Sequence, residues 1–252
     1  PLHNPPNLTG IRETMSILPQ VKQIAVFDTA FHQTLPPSSY LYGLPYELYE
    51  KYKIRRYGFH GTSHRYVAHE AMKLVKRVPE NTNVITCHLG NGASVTAIEN
   101  GESVDTSMGF TPLEGLIMGT RCGDLDPSII TYLLGKGYTV ERINTMLNKE
   151  SGMLGLTGIS NDMRDILDEA DKGNLLAKQA LDAYAYRIRK YIGAYSANLV
   201  KVDILVFTGG IGENDPESRE LISKQFEYVG VDFDSEMNKG KRGKEVVITK
   251  PD

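Results

Sequence analysis

The chain has 252 residues, of which 40% are hydrophobic and 23% are charged, and its formal net charge is −3. This composition is that of a globular protein large enough for one substantial core, and it excludes a disordered chain. The absence of a basic excess argues against nucleic acid as the main partner, so any anion binding must be local.

The sequence also bears on location and completeness. It contains no run of about 18 apolar residues and no signal sequence, so we expect a cytoplasmic protein that does not contact membranes. Two cysteines, Cys87 and Cys122, are too few for a disulfide framework and are expected to be free thiols. Because the chain begins at Pro1 and stops just after an apolar run at 246–248 that predicts a strand, we expect an incomplete polypeptide.

The first third of the chain predicts mostly helices and an ordered loop. Proline at 19 and at 79 ends two helical patterns, and a segment rich in Pro and Tyr lies between them. In chain order, the expected elements are a helix within residues 1–22, a short strand at 23–27, a long ordered loop over 32–50 with a short helix near 47–53, and a helix from 63 to about 77.

The middle of the chain predicts an antiparallel meander. Three strand-like runs, at 84–89, 94–99 and 103–105, are joined by Asn91-Gly92 and Asn100-Gly101. Asn-Gly is the dipeptide most favoured in tight hairpin turns.

The remainder predicts helices around one buried strand. In chain order, we expect a helix from Asp126-Pro127 to about Leu134, a long amphipathic helix between 175 and 200, a strand at 204–207, and a helix from Asp215-Pro216 to about Tyr228. A meander followed by alternating helices and strands indicates a mixed α/β domain rather than a simple doubly wound sheet.

Three short stretches carry the features of a phosphate site. Residues 87–94 and 207–214 each follow an apolar strand-like run and then turn on glycine, which lets backbone N–H groups approach an anion. The stretch 118–124 adds Arg121, whose guanidinium can grip phosphate oxygens through two parallel hydrogen bonds. The neighbouring glycines leave the Arg121 side chain little to pack against. Its guanidinium is therefore expected to reach a ligand or a carboxylate such as Asp124.

Other polar residues allow more than one interpretation. His60 is by default a satisfied histidine of the core or surface, and Asp28, at the end of an apolar run, fits a turn residue as well as a carboxylate facing a cleft. Asp162 and Arg164 are locally best explained as a helix cap. The sequence has no zinc-ligand spacing, no Walker A sequence and no dinucleotide-type glycine motif.

Five separated motifs together resemble the acetate kinase family, in the same order and across nearly the whole chain. They are 27–32, 56–64, 88–94, 119–126 and 208–214. The resemblance implies an α/β fold of the actin-like ATPase (ribonuclease H-like) type, a mixed sheet flanked by helices. It also implies two domains, with residues 1–30 as a remnant of the first and 31–252 as the second, nucleotide-binding domain.

The same resemblance implies reversible, in-line transfer of phosphate from ATP to acetate with Mg²⁺, in a homodimer. It makes Asp28 the active-site carboxylate that orients groups or the metal, and it makes His60 and Arg121 stabilisers of the transferring phosphoryl group. It assigns no metal ligand within these 252 residues, and it matches His3 to a histidine near the acyl pocket. The implied nucleotide-binding residues are His88, Leu89, Gly90, Asn91, Gly92, Asp162, Met163, Arg164, Gly210, Ile211, Gly212, Glu213 and Asn214.

The chain departs from the family pattern at its ends. A phosphate-binding hairpin, a carboxylate-binding arginine and a metal-binding glutamate are expected outside these residues, so the 252 residues alone are predicted to be inactive. Two other functions stay open: a propionate kinase, and a nucleotide-binding or assembly module of the same superfamily without an acyl acceptor. The tyrosine-bearing helix at 181–199 fits a dimer interface or, better, the core.

Overall fold

The computed structural model describes residues 4–223 and 226–250. Its four strands are β1 (Asn83–Leu89), β2 (Ala93–Glu99), β3 (Glu102–Thr106) and β4 (Ile204–Thr208). The helices are α1 (Asn4–Ile17), α2 (Pro37–Tyr40), α3 (Tyr46–Tyr52), α4 (Gly61–Leu74), α5 (Ser128–Gly135), α6 (Val140–Lys149), α7 (Gly152–Thr157), α8 (Met163–Asp171), α9 (Leu175–Leu199), α10 (Gly209–Asn214), α11 (Pro216–Ser223) and α12 (Ser235–Asn238). Short 3₁₀ turns occupy Ala30–Thr34 and Glu227–Val229.

The four strands form one mixed sheet in the order β3-β2-β1-β4. The meander β1-β2-β3 is antiparallel, as the sequence predicts, and β4 runs parallel to β1 with His88 opposite Thr208. Parallel strands end at the same edge of a sheet, so the chain segments that follow β1 and β4 emerge side by side. The sheet thus brings two of the predicted phosphate stretches together.

Helices cover both faces of the sheet. Along β1, side chains alternate between the two faces, as strand geometry requires. Ile85, Cys87 and Leu89 enter the main core with α9, whereas Val84 packs with α4 in a second, smaller cluster. The polar residues of β1, Thr86 and His88, also point toward α4 and bond to its side chains.

The long helix α9 is confirmed as a core element. Asn174 caps its first turn by accepting hydrogen bonds from the backbone N–H groups of Leu176 and Ala177. Its apolar stripe is buried against the sheet and the neighbouring helices; the buried members are Ala177, Ala180, Leu181, Tyr184, Ala185, Ile188, Ile192, Tyr195 and Leu199. Burial of this stripe supports the core interpretation of 181–199 over a dimer interface.

One buried group in α9 predicts a stabilising substitution. Tyr184 is 2% exposed, and its hydroxyl finds no hydrogen-bond partner among the residues the structure describes. We expect Tyr184→Phe to leave the free energy of unfolding unchanged or to raise it by up to about 1 kcal/mol, because an unpaired buried hydroxyl is costly. In the matched control, Tyr191→Phe, the change removes a 2.8 Å hydrogen bond to Asp124 and should destabilise by about 1–2 kcal/mol. Urea unfolding of the two variants measures both effects, and a clear loss of stability in Tyr184→Phe would contradict the prediction.

Several predicted elements differ from the structure. Residues 23–27 form no strand, and Ile24, Val26 and Phe27 are exposed, so no described strand pairs with this apolar run. Likewise 246–248 forms no strand among the described residues, and a single bridge joins the following Thr249 to Phe233. An apolar run makes a strand only where a neighbouring strand accepts its hydrogen bonds.

Element boundaries and turns also needed correction. The turn after β1 has three residues, because Leu89 pairs with Ala93, whereas Asn100-Gly101 forms the predicted two-residue turn with both φ angles positive. Helix α5 begins at Ser128, with the Asp126 carboxylate accepting a hydrogen bond from its N–H. The helix after Asp215-Pro216 is described to Ser223, and its predicted continuation to Tyr228 is wrong because a 3₁₀ turn occupies that position. Helices α6 and α7 were not predicted, and the third glycine-rich turn is helix α10.

The start of the chain lies apart from the core. Residues 5–28 are all exposed apart from the partly exposed Thr14. The division into domains at residue 31 stays a prediction, and His3 lies outside the described residues. Within the described ranges, no helix combines the length and apolar character needed to cross a bilayer.

Candidate active site

The ends of β1 and β4 place two glycine-rich segments in contact. A Cβ on Gly90 would lie 4.0 Å from the backbone nitrogen of Gly210. Gly209 has φ +79°, and a Cβ there would lie 2.7 Å from the carbonyl oxygen of Leu89. Glycine is therefore required for this close approach of backbones, which leaves a surface made of peptide groups at the sheet edge.

His60 lies at the start of α4, where Asp28 fixes the backbone. His60 has a left-handed backbone (φ +56°), and its N–H donates to Asp28 Oδ2 at 2.7 Å. The next N–H, of Gly61, donates to the Asp28 carbonyl at 2.9 Å. Asp28 therefore lies beside His60 and holds the backbone at the start of α4, and its role as a carboxylate facing a cleft stays a prediction.

Arg121 lies on a loop that α7 holds in place. The first N–H groups of a helix have no intrahelical acceptor, and here Met153 N donates to Met118 O at 2.8 Å and Leu154 N donates to Gly119 O at 2.9 Å. The Arg121 guanidinium donates to the carbonyl of Pro112 at 3.2 Å and lies 3.8 Å from the sulfur of Met118. Among the described residues it pairs with no carboxylate.

The suggested partner of Arg121, Asp124, is engaged elsewhere. Its Oδ1 accepts from the N–H of Gly115, and its Oδ2 accepts from the Tyr191 hydroxyl at 2.8 Å. Arg187 lies 3.5 Å from the same oxygen. Pairing of Arg121 with Asp124 is therefore wrong, and the alternative that the guanidinium serves a ligand remains.

His60 and Arg121 converge on the turn after β1. A Cβ on Gly92 would lie 3.4 Å from Arg121 Nη1 and 3.5 Å from His60 Nε2. The two side chains thus come from separate parts of the chain, His60 from the residue before α4 and Arg121 from the loop between β3 and α5, to the same glycine. The guanidinium and the imidazole face one small volume beside the backbone of the turn.

The tip of this turn joins the second glycine-rich stretch. The N–H of Gly119 donates to Asn91 O at 3.0 Å, and Asn161 Nδ2 donates to Asn91 Oδ1 at 2.9 Å. A Cβ on Gly119 would lie 1.9 Å from Asn91 Oδ1, so any larger residue there would displace the Asn91 side chain. All three predicted stretches therefore meet at Gly90, Asn91 and Gly92.

Four histidines cluster beside this point, and burial keeps them neutral. His60 and His88 stack with ring centroids 4.2 Å apart, and His64 and His32 lie behind them. Burial, with the neighbouring His88 and Arg121, lowers the pKa of His60 to about 4, while Asp28 opposes the shift. Burial also lowers the pKa of His32 and His88, and it lowers that of His64 well below its usual value.

The predicted nucleoside-binding residues at 162–164 have a clear structural role. Asp162 caps α8 by accepting from the N–H of Arg164, and it pairs with the Arg164 guanidinium. These hydrogen bonds lower the pKa of Asp162 to about 2. Met163 is 5% exposed and belongs to the core, so its side chain is not available to a ligand. The local cap interpretation is thus confirmed, and a ligand role for Asp162 and Arg164 stays a prediction.

Most of the predicted residues in α10 also serve the fold. Glu213 Oε1 accepts from Thr208 Oγ1 and from the N–H of Gly209, so this carboxylate closes the first turn. Asn214 Nδ2 donates to the carbonyl of Gly210. Gly212 is buried, and Ile211 packs against the core, as does Leu89 in β1. These residues can meet a nucleotide through the backbone rather than through their side chains.

Sequence reasoning missed three residues of the site: His64, Ser94 and Asn161. His64 lies four residues after His60, the spacing of side chains that meet on a helix, and the two ring centroids are 6.3 Å apart. Ser94 directly follows the turn in β2 and contacts both histidines. Asn161 carried no signal, because its contact with Asn91 joins residues 70 positions apart. In the described ranges, no group of three or more His, Cys, Asp or Glu is arranged to hold a metal ion.

The mixed sheet, the helices on its two faces and the glycine turns at one edge define an α/β domain of the actin-like ATPase class. The model of the acetokinase family matches residues 1–252. The chain therefore belongs to the acetokinase family.

Individual relatives support this family assignment, and each of them is longer than the chain. The chain is 57% identical, over its full length, to an acetate kinase of Alkaliphilus metalliredigens, and it spans 64% of that protein. The structure superposes on an acetate kinase of Porphyromonas gingivalis with a TM-score of 0.96 at 50% identity, covering all of this chain and 63% of that one. It matches a propionate kinase of Francisella tularensis with a TM-score of 0.90 at 49% identity, covering 94% of this chain and 62% of that one.

Proposed function

We propose that the intact protein is an acetate kinase, which transfers the γ-phosphoryl group of ATP to acetate and forms acetyl phosphate and ADP. The observation that carries the proposal is the convergence of Arg121 Nη1 and His60 Nε2 on Gly92. Family membership supports it, since the relatives compared above are named acetate and propionate kinases.

The charges at this point suit phosphoryl transfer. The transition state of this reaction spreads negative charge over the phosphoryl oxygens, and catalysis comes mainly from positioning and electrostatic stabilisation. Arg121 supplies a full positive charge there, while burial lowers the pKa of His60 to about 4, so that its ring is neutral and offers Nε2 to the same position. Both groups are held before a ligand arrives, so little reorganisation is needed.

Asp28 has no need to act as a base. Acetate is ionised at neutral pH, because a carboxylic acid of this kind titrates near pH 4 to 5, so its oxygen can attack without losing a proton. Asp28 Oδ2 orients the start of α4 by accepting from His60 N. Its role is therefore to position groups around the reacting phosphoryl group.

The residues present fit a nucleotide-bound Mg²⁺ in part. Mg²⁺ takes oxygen ligands and is commonly held by one or two carboxylates together with substrate phosphates. Asp28 offers one carboxylate that is solvent-exposed, and its Oδ1 has no protein partner among the described residues. When bound, the ion would neutralise phosphate charge, and the phosphates themselves would lie against the backbone of 88–92 and 210–214.

Location, assembly and domain organisation belong to the same proposal. We infer a cytoplasmic homodimer with acetate, ATP and ADP as its ligands, without nucleic-acid or membrane partners. Residues 1–30 would belong to the first domain of the intact protein and residues 31–252 to the second. Exposure of residues 5–28 supports this division, because an isolated remnant has nothing to pack against.

Propionate is the rival substrate, and the match to the Francisella protein favours it specifically. The test is kcat/KM of the intact protein for acetate and for propionate, with the acyl phosphate trapped by hydroxylamine. We expect acetate to be preferred by about 10- to 200-fold, the value of one methylene in a fitted pocket. A preference for propionate would contradict acetate as the substrate. ATP turnover without trapped product would instead indicate a nucleotide-binding module without an acyl acceptor.

A further inference from the structure

Three side chains without solvent exposure connect His60 to the interior of the sheet. His60 Nδ1 lies 2.9 Å from Ser94 Oγ, and Ser94 Oγ lies 2.7 Å from His64 Nε2. His64 Nδ1 then lies 2.7 Å from Thr86 Oγ1. Ser94, His64 and Thr86 are each 0% exposed. This chain of hydrogen bonds leads away from the face of His60 that meets Gly92.

The single hydroxyl hydrogen of Ser94 restricts the chain to two arrangements. A neutral imidazole donates from one ring nitrogen and accepts at the other. If both histidines donated to Ser94, its hydrogen would have no acceptor, and if both accepted, one of them would have no donor. One histidine must therefore donate to Ser94 while the other accepts from it. The donors along the chain of hydrogen bonds then all point either toward His60 or away from it.

Thr86 distinguishes the two directions. Its hydroxyl has one partner among the described residues, His64 Nδ1. When the bonds run toward His60, Thr86 donates to His64, every hydrogen buried between Thr86 and His60 Nδ1 has an acceptor, and the one left over lies on Nε2 of the half-buried His60. When they run the other way, His64 Nδ1 donates to Thr86 and the threonine hydrogen is left unpaired in the interior, which is costly. Hydrogen-bond donation in the direction of His60 is therefore favoured.

His32, the remaining neighbour, does not set this direction. Its Nε2 lies 2.9 Å from the carbonyl oxygen of Phe59, which can only accept, so that nitrogen carries the hydrogen. Its Nδ1 lies 2.8 Å from Ser103 Oγ. Both ring nitrogens of His32 are thus occupied without His64, and the two rings meet only through an edge contact.

We propose that Thr86, His64 and Ser94 are positioning residues that hold His60 in the tautomer with hydrogen on Nε2, the nitrogen that faces Gly92 and Arg121. Ser94 donates to His60 Nδ1, so His60 Nε2 presents an N–H rather than a lone pair to the site. The relevance of this tautomer to catalysis rests on the proposed function, because an N–H stabilises the negative oxygens of a transferring phosphoryl group whereas a lone pair repels them.

The direct test is the tautomer of His60 by NMR of ¹⁵N-histidine-labelled intact protein, with the His60 signals assigned from a His60→Asn variant. We expect hydrogen on Nε2 in the wild type. Thr86→Val keeps the shape of the side chain but cannot donate, so the direction is no longer fixed and a mixture of tautomers should appear. Thr86→Ser loses the methyl group and keeps the hydroxyl, so it should retain the wild-type tautomer. Hydrogen on Nδ1 in the wild type, or an unchanged tautomer in Thr86→Val, would overturn the proposal.

Kinetics provide the second measurement. For Thr86→Val we expect kcat to fall about 10- to 100-fold with KM for ATP little changed, in line with the loss of other groups that orient a catalytic side chain. Thr86→Ser should recover most of the lost kcat. A purely structural role would lower the melting temperature in both variants and leave the tautomer in place. If the wild type makes no acyl phosphate, the proposed function fails, yet the NMR comparison still decides whether the hydrogen-bond chain exists.

Discussion

Arg121→Ala in the intact protein is expected to lower kcat for acyl phosphate formation by about 10²- to 10³-fold. Arg121 brings a guanidinium to Gly92, with Nη1 3.4 Å from the Cβ position of that glycine. Removing it leaves the charge of the transferring phosphoryl group without its nearest cationic partner on this chain. The measurement is hydroxylamine-trapped acetyl phosphate at saturating ATP and acetate.

Stability should change little, which separates this effect from unfolding. The guanidinium makes one hydrogen bond to a carbonyl and one sulfur contact, so the melting temperature of Arg121→Ala is expected to stay near that of the wild type. Arg142→Ala is the matched control, because Arg142 is a surface arginine paired with Glu150, a kind of interaction that contributes little. A loss of less than tenfold in Arg121→Ala, or an equal loss in Arg142→Ala, would refute the assignment.

The sequence predicted those parts of the fold that local patterns determine. The stripe of α9 and the meander of β1, β2 and β3 follow from the spacing of apolar residues, and both were confirmed. The strand predicted at 23–27 was wrong because a strand needs a partner, and hydrophobicity alone does not supply one. Helix α7 was missed for a related reason: its six residues are short and glycine-rich, and its role is to hold a loop rather than to bury a stripe.

The site shows the same limit of local information. Glycine turns and an arginine among glycines pointed to three segments that the structure brings together, because the features of each depend on a few adjacent residues. The parallel pairing of β1 with β4 decides that Gly90 meets Gly210, and it joins residues 120 positions apart. The hydrogen bonds of Ser94 to two histidines were likewise invisible, because a serine in a strand is ordinary until its neighbours are known.

Among residues outside the site, Gly152 is the one whose substitution by alanine is expected to disturb the site most. Gly152 has φ +63°, and a Cβ there would lie 2.1 Å from the carbonyl oxygen of Met118 and 2.7 Å from that of Arg121. The left-handed backbone costs an L-residue about 1–2 kcal/mol, and forcing a methyl group into packed atoms costs about 1–3 kcal/mol more. We therefore expect a loss of about 2–5 kcal/mol in the free energy of unfolding.

Gly158→Ala separates the two causes, because it shares the backbone strain without the collision. Gly158 ends the same helix, α7, with φ +66°, and a Cβ there would meet nothing within 4 Å. Only the strain of about 1–2 kcal/mol applies to it. Urea unfolding should thus rank wild type, Gly158→Ala and Gly152→Ala in order of decreasing stability. Equal losses of stability in the two variants would mean that a methyl group at position 152 does not collide with the loop that carries Arg121.

The same pair of variants tests whether the position of Arg121 matters beyond its presence. The carbonyl of Met118, the nearest atom to the new methyl group, accepts the hydrogen bond that fastens the loop to α7. Displacing that carbonyl moves the backbone of Arg121, and a shift of about 1 Å in a catalytic group can cost about 100-fold in rate. We expect the Gly152→Ala variant, assayed under conditions in which it is folded, to lose at least about tenfold in kcat. The Gly158→Ala variant should keep the kcat of the wild type. Full activity in folded Gly152→Ala would show that the guanidinium reaches the phosphoryl group whatever the position of its loop, and preorganisation would then not be the basis of its effect.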